Sequence, residues 1–164
     1  MPAFLSDLKT NAPDLHAQLV NAGGADGAHS GSKQFMDAWD NVTKSNPQRF
    51  ADLQHGFIKS THYDLVAHKV DGIKGFDLAQ RSLGVKEAIW SAAVQHGPAA
   101  SKIFAKALEG KDVARLSDEA LLRAFYEERS RVDVYFPSLP PKERENIRAR
   151  FSRELDDVLK MAKH

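Results

Sequence analysis

The sequence predicts an all-α fold, an orthogonal globule of about eight helices around one buried central helix. Three observations carry that expectation. Apolar residues recur at three- and four-residue spacing through nearly the whole chain. No strand-like alternation persists beyond a few residues. One segment is apolar on almost every face, as a helix buried on all sides would be.

The elements follow in order. A first short helix is expected over residues 2–9 and a second over 13–21, with Leu15, Leu19 and Val20 on one side. Gly23, Gly24, Gly27 and Gly31, with small polar residues between them, mark a loop. Ser32 is placed to cap the next helix, where Phe35, Met36, Trp39 and Val42 recur at helical spacing. Asn46-Pro47 stops that helix and starts another, since proline suits a first turn. Its stripe is Phe50, Leu53, Phe57 and Ile58. Thr61-His62-Tyr63-Asp64 either continues it or caps a further helix carrying Leu65, Val66 and Val70, ended by Gly72 and Gly75.

The segment 82–96 holds Val85, Ala88, Ile89, Trp90, Ala92, Ala93 and Val94 and is the expected central helix. Gly97-Pro98 ends it, and a shorter helix follows over 99–108. Ser117 caps the next, with Asp118 and Glu119 favourably placed against the helix dipole. Leu121, Leu122, Phe125 and Tyr126 are its buried side. Tyr135-Phe136-Pro137 is an aromatic connection. Pro140-Pro141 opens the last helix, striped by Ile147, Phe151, Leu155, Val158 and Leu159. Such unequal lengths and irregular connections do not suit an up-and-down bundle.

A chain of 164 residues is expected to form a single all-α domain over 1–164. Its 42% hydrophobic and 27% charged residues suit an ordinary core and leave no case for disorder. Lysine plus arginine is 23 against 22 acidic residues, a net charge of +1, which argues against a nucleic-acid partner held by charge. The absence of cysteine excludes disulfides, thiolate metal sites and cysteine nucleophiles. No stretch approaches the ~18–20 apolar residues of a membrane span. The opening residues, with Asp7 and Lys9, lack the basic and apolar regions of a signal peptide. The expectation is a protein made in the cytoplasm, which other machinery must carry if it acts outside.

Seven histidines raise the question of a metal. His55, His62 and His68 are not spaced at i, i+4, and no HExxH occurs, so no metal site is expected. No phosphate loop or nucleophile elbow is present either. Gln95 and His96 are more telling, because they end an otherwise apolar helix. The negative end of that helix would favour a protonated His96. Either both side chains line a cleft for a polar ligand such as a sugar, or they cap carbonyls and tie loops together. Paired carboxylates are the equipment of glycosidases. The candidates beside apolar neighbours are Asp64, Glu87, Glu127 and Glu128, with Asp64 and Glu128 carried forward as catalytic candidates. Glu128-Arg129 also reads as a structural ion pair bracing loops.

Several runs resemble a known family. Gln54-His55-Gly56-Phe57-Ile58-Lys59-Ser60-Thr61-His62-Tyr63-Asp64 is similar to its "Q-x-x-FI-x-x-THYD" segment, and Ile89-Trp90-Ser91-Ala92-Ala93-Val94-Gln95-His96-Gly97 to its "vWS-x-AVQHG" core. Tyr126-Glu127-Glu128-Arg129, Tyr135-Phe136-Pro137 and Arg150-Phe151-Ser152-Arg153-Glu154-Leu155 resemble its closing segments. The family is the C-terminal peptidoglycan-hydrolase domain of type VI secretion spike proteins and related prophage lysins. The resemblance is strongest over 34–160 and keeps the order of the segments.

It implies a lysozyme- or chitosanase-like all-α fold and muramidase-like hydrolysis of peptidoglycan glycan strands, with no cofactor. His62, Tyr63, Gln95 and His96 become candidate substrate-binding residues. A cognate immunity protein is an implied partner. The sequence departs from the family in one respect: family members carry a Gly-rich GG-x-SYG-x-YQ segment, after an acidic residue, ahead of the helix that aligns with residues 1–9, and these 164 residues do not contain it. That segment is expected to supply a cleft wall and a catalytic carboxylate, so an upstream lysin segment is a further expected partner. The alternative expectation is a non-catalytic peptidoglycan-binding or structural component of a phage or secretion particle.

Overall fold

The computed structural model describes residues 1–163, and every regular element among them is helical, so the fold class is all-α. The chain divides into two compact units, Met1–Thr61 and a second beginning at His62.

The first unit holds α1 (Pro2–Asn11), α2 (Pro13–Asn21), α3 (Gly24–Ser30), α4 (Lys33–Ser45) and α5 (Pro47–Ile58). Proline stands at the start of α1, α2 and α5, where no intrahelical N–H is needed. Phe4, Leu8, Leu15, Leu19, Phe35, Val42 and Phe50 form the core. Phe4 packs against Trp39, Phe50 and Phe57, with ring centroids 6.1, 6.0 and 5.3 Å away. Ser32 caps α4 as expected, its Oγ accepting from Phe35 N at 3.3 Å.

The glycine-rich stretch is not the expected loop but the helix α3. Gly23 (φ 109°) opens it and Gly31 (φ 66°) closes it, both in the left-handed region where glycine is favoured. Gly27 lies where a Cβ would stand 3.1 Å from Ala22 O and 3.2 Å from Phe35 Cβ. Two of these glycines are turn points and one is a close approach. Val20 and Met36 are exposed rather than buried, because α2 and α4 each give only a narrow face to the core.

A π-helical turn, Lys59–Tyr63, carries α5 directly into α6 (Asp64–Asp71). No fresh cap intervenes, since Tyr63 keeps helical dihedrals (φ −63°, ψ −54°). The second unit continues with α7 (Leu83–His96), α8 (Ala100–Ala107), α9 (Asp118–Arg129), α10 (Val132–Tyr135) and α11 (Pro141–Met161). Within it α7 is central, packed by α6, α8, α9 and α11. Val85, Ala88, Ile89, Ala92 and Ala93 are buried, but Leu83 and Val94 are exposed, so α7 keeps one open strip. Gly84 lets α11 approach, for a Cβ there would lie 2.2 Å from Val158 O. The Phe104 and Phe125 rings stack at 3.6 Å and join α8 to α9. Ser117 caps α9, its Oγ accepting from Ala120 N at 3.2 Å. On α11, Phe151, Val158 and Leu159 are buried, while Ile147 and Leu155 are half-buried. Among the described residues no helix is long and apolar enough to cross a membrane.

Candidate functional site

The polar centre of the second unit is assembled from three helices by i, i+3 and i, i+4 spacing. α7 presents Ser91 and Gln95 on one face and ends in His96. α9 presents Tyr126 and Arg129, and α11 presents Arg150 and Glu154. Arg129 is 0% exposed and, among the described residues, is the one charged side chain so buried. A buried charge is tolerable only if it is paired and hydrogen-bonded.

Arg129 meets that demand almost donor by donor. Its Nη1 donates to Glu154 Oε2 at 3.0 Å. Its Nη2 donates to Ser91 Oγ at 3.1 Å and to Gln95 Oε1 at 2.9 Å. Its Nε donates to His96 Nε2 at 3.4 Å. The guanidinium lies 4.2 Å from the Phe151 ring centroid, a cation–π contact in a desolvated setting. Glu154 Oε2 also accepts from Ser91 Oγ at 2.9 Å and from Tyr126 Oη at 3.4 Å, and its Oε1 accepts from Arg150 Nε at 2.8 Å. Arg150 further donates to Gln95 Oε1.

His96 is held neutral. Burial, then the charges of Arg129 and Arg150, push its pKa down to about 4, with Glu154 opposing. The expected preference for a protonated His96 is overturned, because burial first, and then two nearby guanidinium groups, outweigh the partial charge of a helix end. With Nε2 accepting from Arg129, the ring proton belongs on Nδ1. The ring packs among Phe136, Tyr135 and Phe151, at centroid distances of 5.2, 6.2 and 6.4 Å. Burial likewise raises the Tyr126 hydroxyl.

Glu128 forms a second polar centre, joined to the first through Tyr135, whose ring stands 6.2 Å from that of His96. Its Oε1 accepts from Tyr135 Oη at 2.5 Å and from Arg131 Nη1 at 3.1 Å, and Lys106 Nζ stands 3.7 Å away. Burial opposes its ionisation, but the Tyr135 and Arg131 hydrogen bonds and the neighbouring cations outweigh it and hold the carboxyl below its ordinary range. The Tyr135 hydroxyl is pushed up to about 12, by burial and then by Glu128. An ionised Glu128 can accept a proton or oppose positive charge; it is not a poised acid.

The structure therefore gathers Gln95 and His96 around Arg129 and links them to Glu128 through Tyr135. Tyr63, the last residue of the π-helical turn, packs against α7, its ring 5.3 Å from that of Trp90. His62, half-buried, is on the π-helical turn, and Asp64, exposed, opens α6. Arg129 pairs with Glu154 rather than with its sequence neighbour Glu128, because adjacent helical residues point about 100° apart. Sequence reasoning missed Ser91 and Glu154, and it assigned Arg129 an ion-pair role with the wrong partner. The usable signal was the i, i+4 spacing of Ser91 with Gln95 and of Arg150 with Glu154.

The family model described as type VI secretion system spike protein VgrG3-like, C-terminal, matches residues 17–155, which takes in every residue of both polar centres. The chain is also similar to the type VI secretion system spike protein VgrG3 of Vibrio cholerae serotype O1 (strain ATCC 39315 / El Tor Inaba N16961). The two are 33% identical over 96 residues, which is 58% of this chain and 9% of that protein. The chain thus spans a small part of that relative's length.

Proposed function

The chain belongs to the type VI secretion system spike protein VgrG3-like C-terminal family, and from that premise we propose that it acts on the glycan strands of peptidoglycan as a muramidase-like hydrolase or the C-terminal portion of one. The single observation that carries this reading is the extent of the family match. It runs through both polar centres and through all the segments, from Gln54 to Leu155, on which the lysin resemblance rests.

The chemistry needs two carboxyl groups, one protonated and one ionised. In this reading Glu128, held ionised, serves as the charge-stabilising or water-activating member. Gln95 and His96 act as sugar-binding groups, kept in one orientation by Arg129, with Gln95 Nε2 and His96 Nδ1 as donors. Tyr63, His62 and Asp64 line the substrate path. Activity lies in the periplasm, after delivery, and a cognate immunity protein protects the producer.

The test is release of soluble muropeptides from fluorescently labelled sacculi, by the chain alone and by the longest product of its gene that contains it. Release from either that falls in Glu128→Gln supports the proposal. No release from both overturns it.

One observation favours a second reading, a peptidoglycan-binding module without turnover. Both carboxylates of the polar centres, Glu128 and Glu154, are committed to arginine partners. Retention on sacculi without muropeptide release would support this reading, and failure to bind would remove it.

A further inference from the structure

The first unit carries a groove that the polar centres of the second do not use. It lies over α1 and α5 and has a volume of about 690 Å³, within the ordinary range of ligand sites. Its floor is Leu53 and Phe57, both half-buried, with Gly56 between them. Gly56 opens the floor, since a Cβ there would meet nothing within 4 Å.

The rim is two acid–amide pairs, one on each helix. Asn11 Nδ2 donates to Asp7 Oδ1 at 3.0 Å, and Gln48 Nε2 donates to Asp52 Oδ1 at 2.8 Å. Each pair fixes its own geometry and leaves a carboxylate oxygen and an amide oxygen as acceptors, with one amide N–H still able to donate. Acceptors outnumber donors on the rim, so the fitting occupant brings mostly donors. Arg49, also on the rim, does not offer a free positive charge, because its Nη1 and Nη2 donate to Asp14 Oδ2 and Oδ1 at 2.7 Å each. Anions and phosphates are disfavoured. A small cation would leave the apolar floor and most of the volume empty. A ligand with hydroxyl and amide N–H donors around apolar faces satisfies rim and floor together.

We propose that this groove binds a neutral oligosaccharide of N-acetylated amino sugars, its hydroxyl and amide N–H groups donating to Asp7, Asn11, Gln48 and Asp52 and its apolar face lying on Leu53 and Phe57. The choice of sugar rests on the glycan-strand reading above; the demand for an uncharged, donor-rich ligand with an apolar face does not.

The experiment is a backbone-amide NMR titration of the full chain with N-acetylglucosamine tetramer, beside spermidine as a cationic control. Shifts confined to residues of α1 and α5 are expected with the sugar. Gly56→Leu fills the groove from a position that is open in the structure and exchanges a poor helix former for a good one. It is expected to weaken sugar binding about tenfold or more, a loss of about 1.4 kcal/mol, without lowering the unfolding midpoint. Asp52→Ala, at an exposed position, is a second variant with the same expected direction. Absence of shifts in the groove, equal binding by both variants, or a response to spermidine in place of the sugar would overturn the proposal. Sacculus turnover reads the hydrolase proposal separately. Turnover without sugar shifts at the groove sinks this site alone, and groove binding without turnover keeps the site while counting against the hydrolase.

Discussion

Arg129 and Glu154 are 25 residues apart in sequence, and Arg129 Nη1 donates to Glu154 Oε2 at 3.0 Å. The pair ties α9 to α11, and through Ser91 and Gln95 it also reaches α7. The one fully buried charge among the described residues thus holds three helices of the second unit in register. Removing Glu154 would leave the buried Arg129 charge without its carboxylate, while removing Arg129 would strip Ser91, Gln95 and His96 of their shared donor and leave Glu154 to Arg150 alone, so the strongest stability effects are expected here.

Arg129→Ala is expected to lower stability by about 3–5 kcal/mol, the usual consequence of breaking a buried ion pair from one side. Urea unfolding followed by far-UV circular dichroism measures it. Glu154→Gln keeps the shape and one acceptor, and should cost less. In the double variant the losses should fall well short of their sum, since the two residues share one interaction. Simple additivity would show that the pair is not coupled.

His96 gives the second unit a pH dependence of known sign. Its folded pKa of about 4 lies below the ordinary value of 6.5, so the unfolded chain binds more protons between those limits. Stability contributed by the neutral ring is present above pH 6.5 and is lost as pH falls from 6.5 towards 4. The slope from this one group approaches about 1.4 kcal/mol per pH unit. Comparing unfolding midpoints of wild type and His96→Gln across that range isolates it. The variant should show the shallower dependence, and parallel curves would exclude the assignment.

Two glycines should respond in opposite directions to the same substitution. A Cβ on Gly84 would meet the backbone oxygen of Val158 at 2.2 Å, so Gly84→Ala must push α7 and α11 apart. A loss of about 1–3 kcal/mol is expected from the overpacking. Gly56 lies within α5 with open space above it, so Gly56→Ala should gain about 0.5–1 kcal/mol from helix propensity. Thermal unfolding of the two variants decides both.

Tyr135 holds Glu128 ionised from one side. Tyr135→Phe removes that donor, and the Glu128 carboxyl should titrate at higher pH, closer to its ordinary range. Carbon-detected NMR of the side-chain carboxyl reads this directly. The stability cost should be about 0.5–1.5 kcal/mol, that of one hydrogen bond. An unmoved Glu128 titration would leave Arg131 and Lys106 as the groups that set it.

Local pattern carried much of the fold. The stripes on α4, α9 and α11, the Ser32 and Ser117 caps and the prolines opening α5 and α11 were legible because each depends on residues within one or two turns. The glycines at 23–31 misled because their spacing resembles a loop. Gly23 and Gly31 are the ends of a helix, and Gly27 is explained only by Phe35 and Ala22 pressing on it. Gln95 and His96 stood out as polar groups ending an apolar helix. Their partners were harder to read: Arg129 reads in sequence as the partner of its neighbour Glu128, and Glu154 looks like an ordinary surface residue of a charged helix.

The sequence by itself determined that the chain is all-α, where most of its helices begin and end, and which family it resembles. These follow from hydrophobic period, caps and short motifs, all local properties. Tertiary structure alone decided which arginine is buried, that it pairs with Glu154 and not Glu128, and that His96 is neutral. Each of those depends on charges brought together from α7, α9 and α11 in a desolvated interior, where the strength of an interaction is set by distance and burial rather than by position along the chain.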